Sequence, residues 1–375
     1  MARDKMVSIN KERLKYAREH YGLSLEDVNS MAVIKYQDLE RFENGEAYPS
    51  YAQLSRLSEL YNRPLLFFFF CDEPPNENIS VAFRSIEREI GTEFNKQIRV
   101  LMEKAYIYKL NLTELYDKQL GKPYFQNMLV SDSIDNDSKL SVWLREKLDL
   151  PLYKQKKEFR RAEQLIEFIR EKLYDIGIYV FKDSFGNDSI SALCLYDDIY
   201  PIILLNNKTT FNRQLFSIFH EIYHLFNKKP NVYQNQKGAE KDCDKFAGEF
   251  LIPDEDLDKK ELATEKCEDE RLINSLADEY TVSREAMAYR LLSKGYISKE
   301  FYMSIKDNNI RKKNTESSGG NFYFTRISYL GKPYLKQVFT QYYNGKINTA
   351  TVAKYTFLKA AHITRLSSFL FGGEF

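Results

Sequence analysis

Phe211 to Asn227 reads FNRQLFSIFHEIYHLFN. Leu215, Phe216, Phe219, Ile222, Leu225 and Phe226 recur at helical spacing, so one amphipathic helix with an inward apolar stripe is expected here. Set into it is His220-Glu221-Ile222-Tyr223-His224, an H-E-x-x-H pattern. Two imidazoles at i and i+4 project from one face, one turn apart. They can grip a single Zn²⁺ through ring nitrogens about 2.0–2.1 Å from the ion. Glu221 is turned about 100° from His220 on such a helix, beside the metal but not bound to it. From there a carboxylate can take the proton of a metal-bound water. The chain has only 4 histidines, and half of them stand at the two ligand positions. A helix whose histidines merely filled space would not concentrate them in this way.

A catalytic zinc needs a third protein ligand and an open position. The remaining histidines, His20 and His362, lie near the two ends of the chain, so a carboxylate is expected. Downstream, Gly238 to Pro253 reads GAEKDCDKFAGEFLIP, a second helical pattern in which Cys243, Phe246, Ala247 and Phe250 form the apolar stripe and Pro253 marks the stop. Glu240 precedes Cys243 by three positions and lies on that inward stripe. A carboxylate facing a core requires a partner, and a metal is one. Asp244 shares much of the same face and is the alternative third ligand. Cys243 fits the packing stripe and is the weaker alternative.

Outward from this site the periodicity changes. Ile178 to Phe181, Ile190 to Tyr196 and Ile199 to Asn206 are rich in Ile, Val, Tyr and Leu, and read as strands. Asp197-Asp198 between the last two suggests a hairpin. Before them, Lys157 to Tyr174 reads as a helix ended by Gly177, and Glu93 to Leu120 as a long helix with Ile98, Leu101, Met102, Ala105, Tyr108 and Leu112 inward. Asp307 to Gly320 reads as a linker, and the remaining residues as an extended aromatic stretch (Phe322 to Phe324) followed by at least two helices.

The first seventy residues carry short helical patterns. Ile9 to Tyr21 ends at Gly22. Ser24 opens S-L-E-D, a helix start, Ile34 to Phe42 stops at Asn44-Gly45, and a further helix follows Pro49-Ser50. Short helices with a tight break between the second and third are the build of a helix-turn-helix domain. Lys35, Tyr36, Gln37 and Arg41 on the third helix are the candidates for base and phosphate contacts, with Gln suited to adenine. Asp38, Glu40 and Glu43 interleave them, and residues 1–70 hold ten basic and ten acidic side chains, so protein–protein docking is an equal alternative. The Phe67-Phe70 run is expected to be buried packing, and Asp72 to Asn76 (DEPPN) reads as a hinge.

The chain as a whole has 375 residues, 43% hydrophobic and 29% charged, with 55 Lys and Arg against 54 Asp and Glu. That balance excludes wholesale disorder, a polyanion coat protein and a dedicated membrane-surface binder. The longest apolar run, Pro64 to Cys71, is far short of the roughly 20 residues a spanning helix needs. No apolar leader opens the chain, so no secretory signal is expected. Cys71, Cys194, Cys243 and Cys267 form no C-x-x-C pair and read as reduced thiols in a cytoplasmic protein.

These pieces together resemble the ImmA/IrrE family of zinc metallopeptidases. The resemblance is carried by the strand Ile202 to Asn206 (IILLN), by FSIFHEIYHLF (Phe216 to Phe226) and by E-x-x-x-D-x-F-A-x-x-F-L-I-P from Glu240 to Pro253. It implies that His220, His224 and Glu240 hold Zn²⁺ and that Glu221 is the general base. The family's second helix usually reads E-x-x-A-N, whereas Cys243 and Asp244 stand in for Ala and Asn here, and the spacer from His224 to Glu240 is short. The segment from Leu25 to Phe70 resembles the XRE-type helix-turn-helix often fused to this peptidase, and Gly319 to Ala353 resembles the tail of such fused proteins. Members commonly cleave a cognate transcriptional repressor under stress or phage induction, which implies a protein substrate of that class.

The expected architecture is multidomain and mainly α with an α+β part. It comprises an XRE-like helix-turn-helix bundle (1–72), a helical connecting region (73–150), a zincin-like peptidase domain with a small sheet (151–310) and a small C-terminal module (316–375). The expected activity is zinc-dependent endopeptidase, with DNA as a further possible partner through the first domain and no membrane. The alternative is a non-catalytic DNA-binding regulator, antitoxin-like, that retains a zincin fold. Oligomeric state is not legible.

Overall fold

The structure is a computed structural model that describes residues 6–20, 23–31, 33–61, 63, 65–70, 92–116, 125–186, 190–227, 237–260, 268–311 and 321–372. The Asp72–Asn76 hinge, the Gly22 break and Cys71 and Cys267 lie outside them. Contacts divide the chain in the main into two compact units, Met1–Val100 and Leu101–Phe375.

In the first unit, α1 (Lys11–His20), α2 (Leu25–Ser30), α3 (Tyr36–Asn44) and α4 (Tyr51–Leu60) precede a 3₁₀ turn, Leu65–Phe69. The starts follow from side-chain caps. Ser24 and Ser50 each accept from the backbone N–H three residues on, while Asp27 and Gln53 reach back to the cap N–H. Gly45 ends α3 at φ +78, where any Cβ would be strained. Leu14, Ala17, Val28, Leu39, Leu54, Leu57 and Phe68 are fully enclosed between these helices. The aromatic run divides instead of burying as a block: Phe67 and Phe68, within the 3₁₀ turn, are buried, whereas Phe69 and Phe70, at and just past its end, are exposed.

The second unit is built around a three-stranded sheet, β1 (Tyr179–Asp183), β2 (Ala192–Leu195) and β3 (Ile202–Asn206), in the order β1-β3-β2. β3 pairs parallel with β1, Tyr179 opposite Ile202, and antiparallel with β2, Leu193 opposite Leu204. The Asp197-Asp198 hairpin is therefore present. β1 and β3 are buried at every residue, the polar Lys182, Asp183 and Asn206 at their ends included, as in strands covered on both faces.

Before the sheet come α5 (Thr92–Tyr116), α6 (Phe125–Ser131), α7 (Asp137–Lys147), α8 (Leu152–Glu158) and α9 (Ala162–Asp175). The inward residues read for α5 are all buried, and its expected end, 117–120, lies outside the described residues. The single helix expected over Lys157–Tyr174 is broken. Phe159 turns extended, at φ −111 and ψ 116, and its carbonyl accepts a bond from the Thr281 hydroxyl at 3.1 Å.

After the sheet come α10 (Phe211–Phe226), α11 (Lys237–Leu251), α12 (Asp254–Asp258), α13 (Glu270–Tyr280), α14 (Arg284–Ser293) and α15 (Lys299–Arg311). Residues 307–311 thus continue a helix instead of opening the expected linker, whose later part lies outside the described residues. The chain closes with α16 (Phe322–Leu330), α17 (Lys332–Tyr343), α18 (Thr349–Thr356) and α19 (Ile363–Phe371). Phe322 to Phe324 is helical, not extended. Asn321 caps it by accepting from the Tyr323 N–H, and Tyr323 stacks on Phe369 at 5.1 Å, so packing overrides the β preference of the aromatics. Arg170 ties these helices to the sheet, donating to the carbonyls of Val180 at 2.9 Å, Ser328 at 2.7 Å and Tyr329 at 3.2 Å. Gly331, at φ +83, makes the turn beside it, where a Cβ would come within 3.0 Å of the Arg170 guanidinium. Among the described residues, no helix is long and apolar enough to cross a membrane.

Candidate metal centre

Thr210 caps α10 by accepting from the Arg213 N–H, and the apolar stripe of that helix packs on β2 and β3. α11 lies antiparallel against α10, a direction read from its ring contacts. Phe219 stacks on Phe250 at 4.0 Å, Tyr223 stacks on Phe246 at 4.9 Å, and His224 reaches Cys243. Tyr223 is thus a packing residue whose hydroxyl donates to Asp137 at 2.9 Å.

The far end of α11 is held by polar side chains that no sequence pattern singled out. Arg145 donates to the Phe250 carbonyl, Gln155 to that of Leu251 at 3.0 Å, and Arg290 to that of Ile252 at 3.2 Å. They satisfy carbonyls that a helix end leaves without intrahelical partners. Burial holds the Arg145 guanidinium down to about 10.

The stacked rings set the register that brings polar side chains of the two helices together. His220 Nε2 and His224 Nε2 lie 3.2 Å apart. Glu240 places one carboxylate oxygen 3.2 Å from His220 Nε2 and the other 3.4 Å from His224 Nε2. Three donors bound tetrahedrally to one zinc at about 2.0–2.1 Å stand about 3.3–3.4 Å from one another. The two nitrogens come close to that spacing, and each Glu240 oxygen does so toward one of them, so the donor types and their crowding suit a zinc ion. A second triad shares the histidines: donor atoms of His220, His224 and Cys243 all lie within 4.8 Å of one another. The histidines are largely enclosed, while Glu240 is half-exposed, so the cluster opens toward solvent on the carboxylate side.

Asp244 sits elsewhere than at the metal-facing nitrogens. Its Oδ1 is 2.9 Å from His220 Nδ1, behind the ring. A proton on Nδ1 donated to this carboxylate leaves Nε2 as a lone pair aimed at the cluster. Position on the helix face alone left both acids open; the rotamers place Glu240 beside the two Nε2 atoms and Asp244 behind the His220 ring.

The electrostatics follow from the crowding of acids about two imidazoles. Burial works against charge on His220, but its bonds to Asp244 and Glu240 prevail and raise it to about 10 in the metal-free protein. Bonds from both histidines hold the Glu240 carboxyl far below the usual carboxylate range. Burial and the neighbouring carboxylates push the Cys243 thiol up.

Glu221 is buried at 5% exposure on the sheet side of α10. Cys194, fully enclosed in β2, hydrogen-bonds its carboxylate through the thiol, and burial with that bond keeps the thiol protonated. An isolated thiol in a strand gives no sequence signal of such a contact. In the other unit, Lys35, Gln37 and Arg41 are exposed on α3 and its cap, with Tyr36 partly buried. Glu43 is withdrawn from this surface by Arg18, which donates to it at 2.7 and 2.8 Å.

Comparison with known families agrees with both halves of this description. Residues 174–292, which span the sheet, α10 and α11, match the Peptidase M78 family, described as the IrrE N-terminal-like domain. Residues 14–68 match the helix-turn-helix family. No curated protein and no solved structure matches the chain.

Proposed function

We propose, from the premise that this chain belongs to the ImmA/IrrE-type M78 peptidases with an amino-terminal helix-turn-helix, that it is a zinc-dependent endopeptidase. The observation that carries the proposal is the pair of imidazole Nε2 atoms of His220 and His224, 3.2 Å apart, each with an oxygen of the Glu240 carboxylate 3.2 to 3.4 Å away. Bound there, zinc supplies Lewis acidity and lowers the pKa of a coordinated water towards about 7.

The chain's own groups do the rest. Asp244 holds the His220 ring with Nε2 facing the cluster. Glu221, one residue along from His220 and steadied by the Cys194 thiol, accepts the proton of the attacking water. The same carboxyl then delivers a proton to the leaving amine. β2, at one edge of the sheet and packed on α10, offers backbone groups on which an extended substrate segment pairs by strand addition.

The substrate class we propose is a transcriptional repressor or similar regulatory protein, cut under stress or phage induction. DNA is the partner proposed for α3 through Lys35, Tyr36, Gln37 and Arg41. The buried free thiols of Cys194 and Cys243 support a reducing, cytoplasmic setting.

Incubating the purified chain with its genetically linked repressor, wild type against Glu221→Gln, tests the activity. Both proteins should hold about one zinc per chain, and the variant should cleave slower by about 10²–10⁴-fold. Cleavage at an unchanged rate by the zinc-loaded variant removes Glu221 as the base.

A further inference from the structure

Cys243 is 2% exposed, yet it does not face only the apolar stripe on which its spacing placed it. Its Sγ lies 3.5 Å from His224 Nε2, and it falls with both histidines in one cluster of possible donors. For zinc bound tetrahedrally, with a Zn–N distance of about 2.0–2.1 Å and a Zn–S distance of about 2.3 Å, the nitrogen and sulfur stand about 3.5 Å apart. The separation found equals that spacing, and in the metal-free protein it is also that of a hydrogen bond between the thiol and the ring nitrogen. Glu240 and Cys243 are also three positions apart on α11, so one helical face presents both to the histidine pair.

We infer that Cys243 is a fourth donor at this centre, its sulfur taking the position that an attacking water needs. The inference rests on the zinc reading above and deepens it. Three protein ligands leave a catalytic zinc open, whereas four close it in the manner of structural sites. The resting centre is therefore self-capped. Opening it requires the sulfur to leave as a thiol, its proton coming from the water that enters in its place. The competing role is that of a small buried hydrophobe filling space between α10 and α11.

X-ray absorption at the zinc edge of the full-length, zinc-loaded protein separates the two. The expected wild-type spectrum holds one sulfur scatterer at about 2.3 Å among nitrogen and oxygen neighbours at about 2.0–2.2 Å. In Cys243→Ala the sulfur count should fall from one to zero while about one zinc per chain remains, the fourth neighbour becoming an oxygen. A wild-type spectrum with nitrogen and oxygen neighbours alone overturns the inference and leaves the His220, His224 and Glu240 reading standing. A sulfur that persists in Cys243→Ala assigns the ligand to another thiol and overturns it equally. Wild-type protein that binds no zinc fails at the earlier reading, a result distinct from both.

Discussion

Asp244 Oδ1 and His220 Nδ1 are 2.9 Å apart, on the side of the imidazole opposite the nitrogen that faces Glu240. A carboxylate so placed fixes the tautomer and the ring orientation, and such outer partners typically account for about 10–100-fold in metal affinity. Asp244→Ala should therefore weaken zinc binding within that range, measured by competition with a chelator of known affinity. Asp244→Asn, which keeps an acceptor without the charge, should fall between wild type and alanine. An alanine variant that binds as tightly as wild type would show the contact to be incidental.

The same contact makes metal uptake a proton exchange. In the metal-free protein His220 is raised to about 10, so it is protonated at neutral pH and must release that proton to bind zinc. The His220 proton alone should make apparent affinity rise about tenfold per pH unit between about pH 7 and 9, more steeply if the Cys243 thiol also ligates, and titration calorimetry in buffers of different ionisation enthalpy should register proton release. The linkage to stability has a definite sign. A raised histidine pKa stabilises the metal-free fold fully below the unfolded value of about 6.5, and that contribution is lost as pH climbs through the folded value. The melting temperature of the metal-free protein should therefore fall across this alkaline interval more than that of Asp244→Ala. Parallel curves would contradict the assignment.

Arg145 and Gln155 anchor the end of the helix that carries Glu240. Gln155 is wholly enclosed, and its amide donates to the Leu251 carbonyl at 3.0 Å and the Tyr280 carbonyl at 2.9 Å. Gln155→Ala leaves two buried carbonyls without this donor and should cost about 1–3 kcal/mol in urea denaturation. Zinc affinity should drop with it if the register of α11 against α10 is what aligns the donors.

For the amino-terminal unit, the prediction concerns salt. Arg41 is exposed on α3, and Arg41→Ala should lower DNA affinity uniformly across sequences and reduce the salt slope by about 1, whereas Gln37→Ala should relax base preference. Filter binding or fluorescence anisotropy over a salt series reads both. Wild-type binding with no salt dependence would instead favour protein docking by this unit, in keeping with its balance of ten acidic and ten basic residues over 1–70.

Much of this was readable from local rules. Ser24, Ser50 and Gly45 punctuate the first unit by cap chemistry that acts within three or four residues. The helical bearing of His220, Glu221 and His224 needs only the period of the helix, and the approach of Glu240 to the two histidines is what an acid on an apolar stripe suggests. What escaped depends on contacts distant in the chain. Thr281 draws Phe159 out of helix, and Tyr323 is helical because Phe369 receives its ring. The division of labour between Glu240 and Asp244 turns on side-chain rotamers, which spacing cannot order. Cys194 reaches Glu221 across the face between a strand and a helix, where pattern carries no information.

Anomalous scattering from a crystal of the zinc-loaded protein, recorded on either side of the zinc edge, tests the central claim most directly. One peak should lie about 2.0–2.2 Å from Nε2 of His220, Nε2 of His224 and a carboxylate oxygen of Glu240 together. A peak that touches no more than one of these atoms, or none at this position in protein shown to hold zinc, would contradict it.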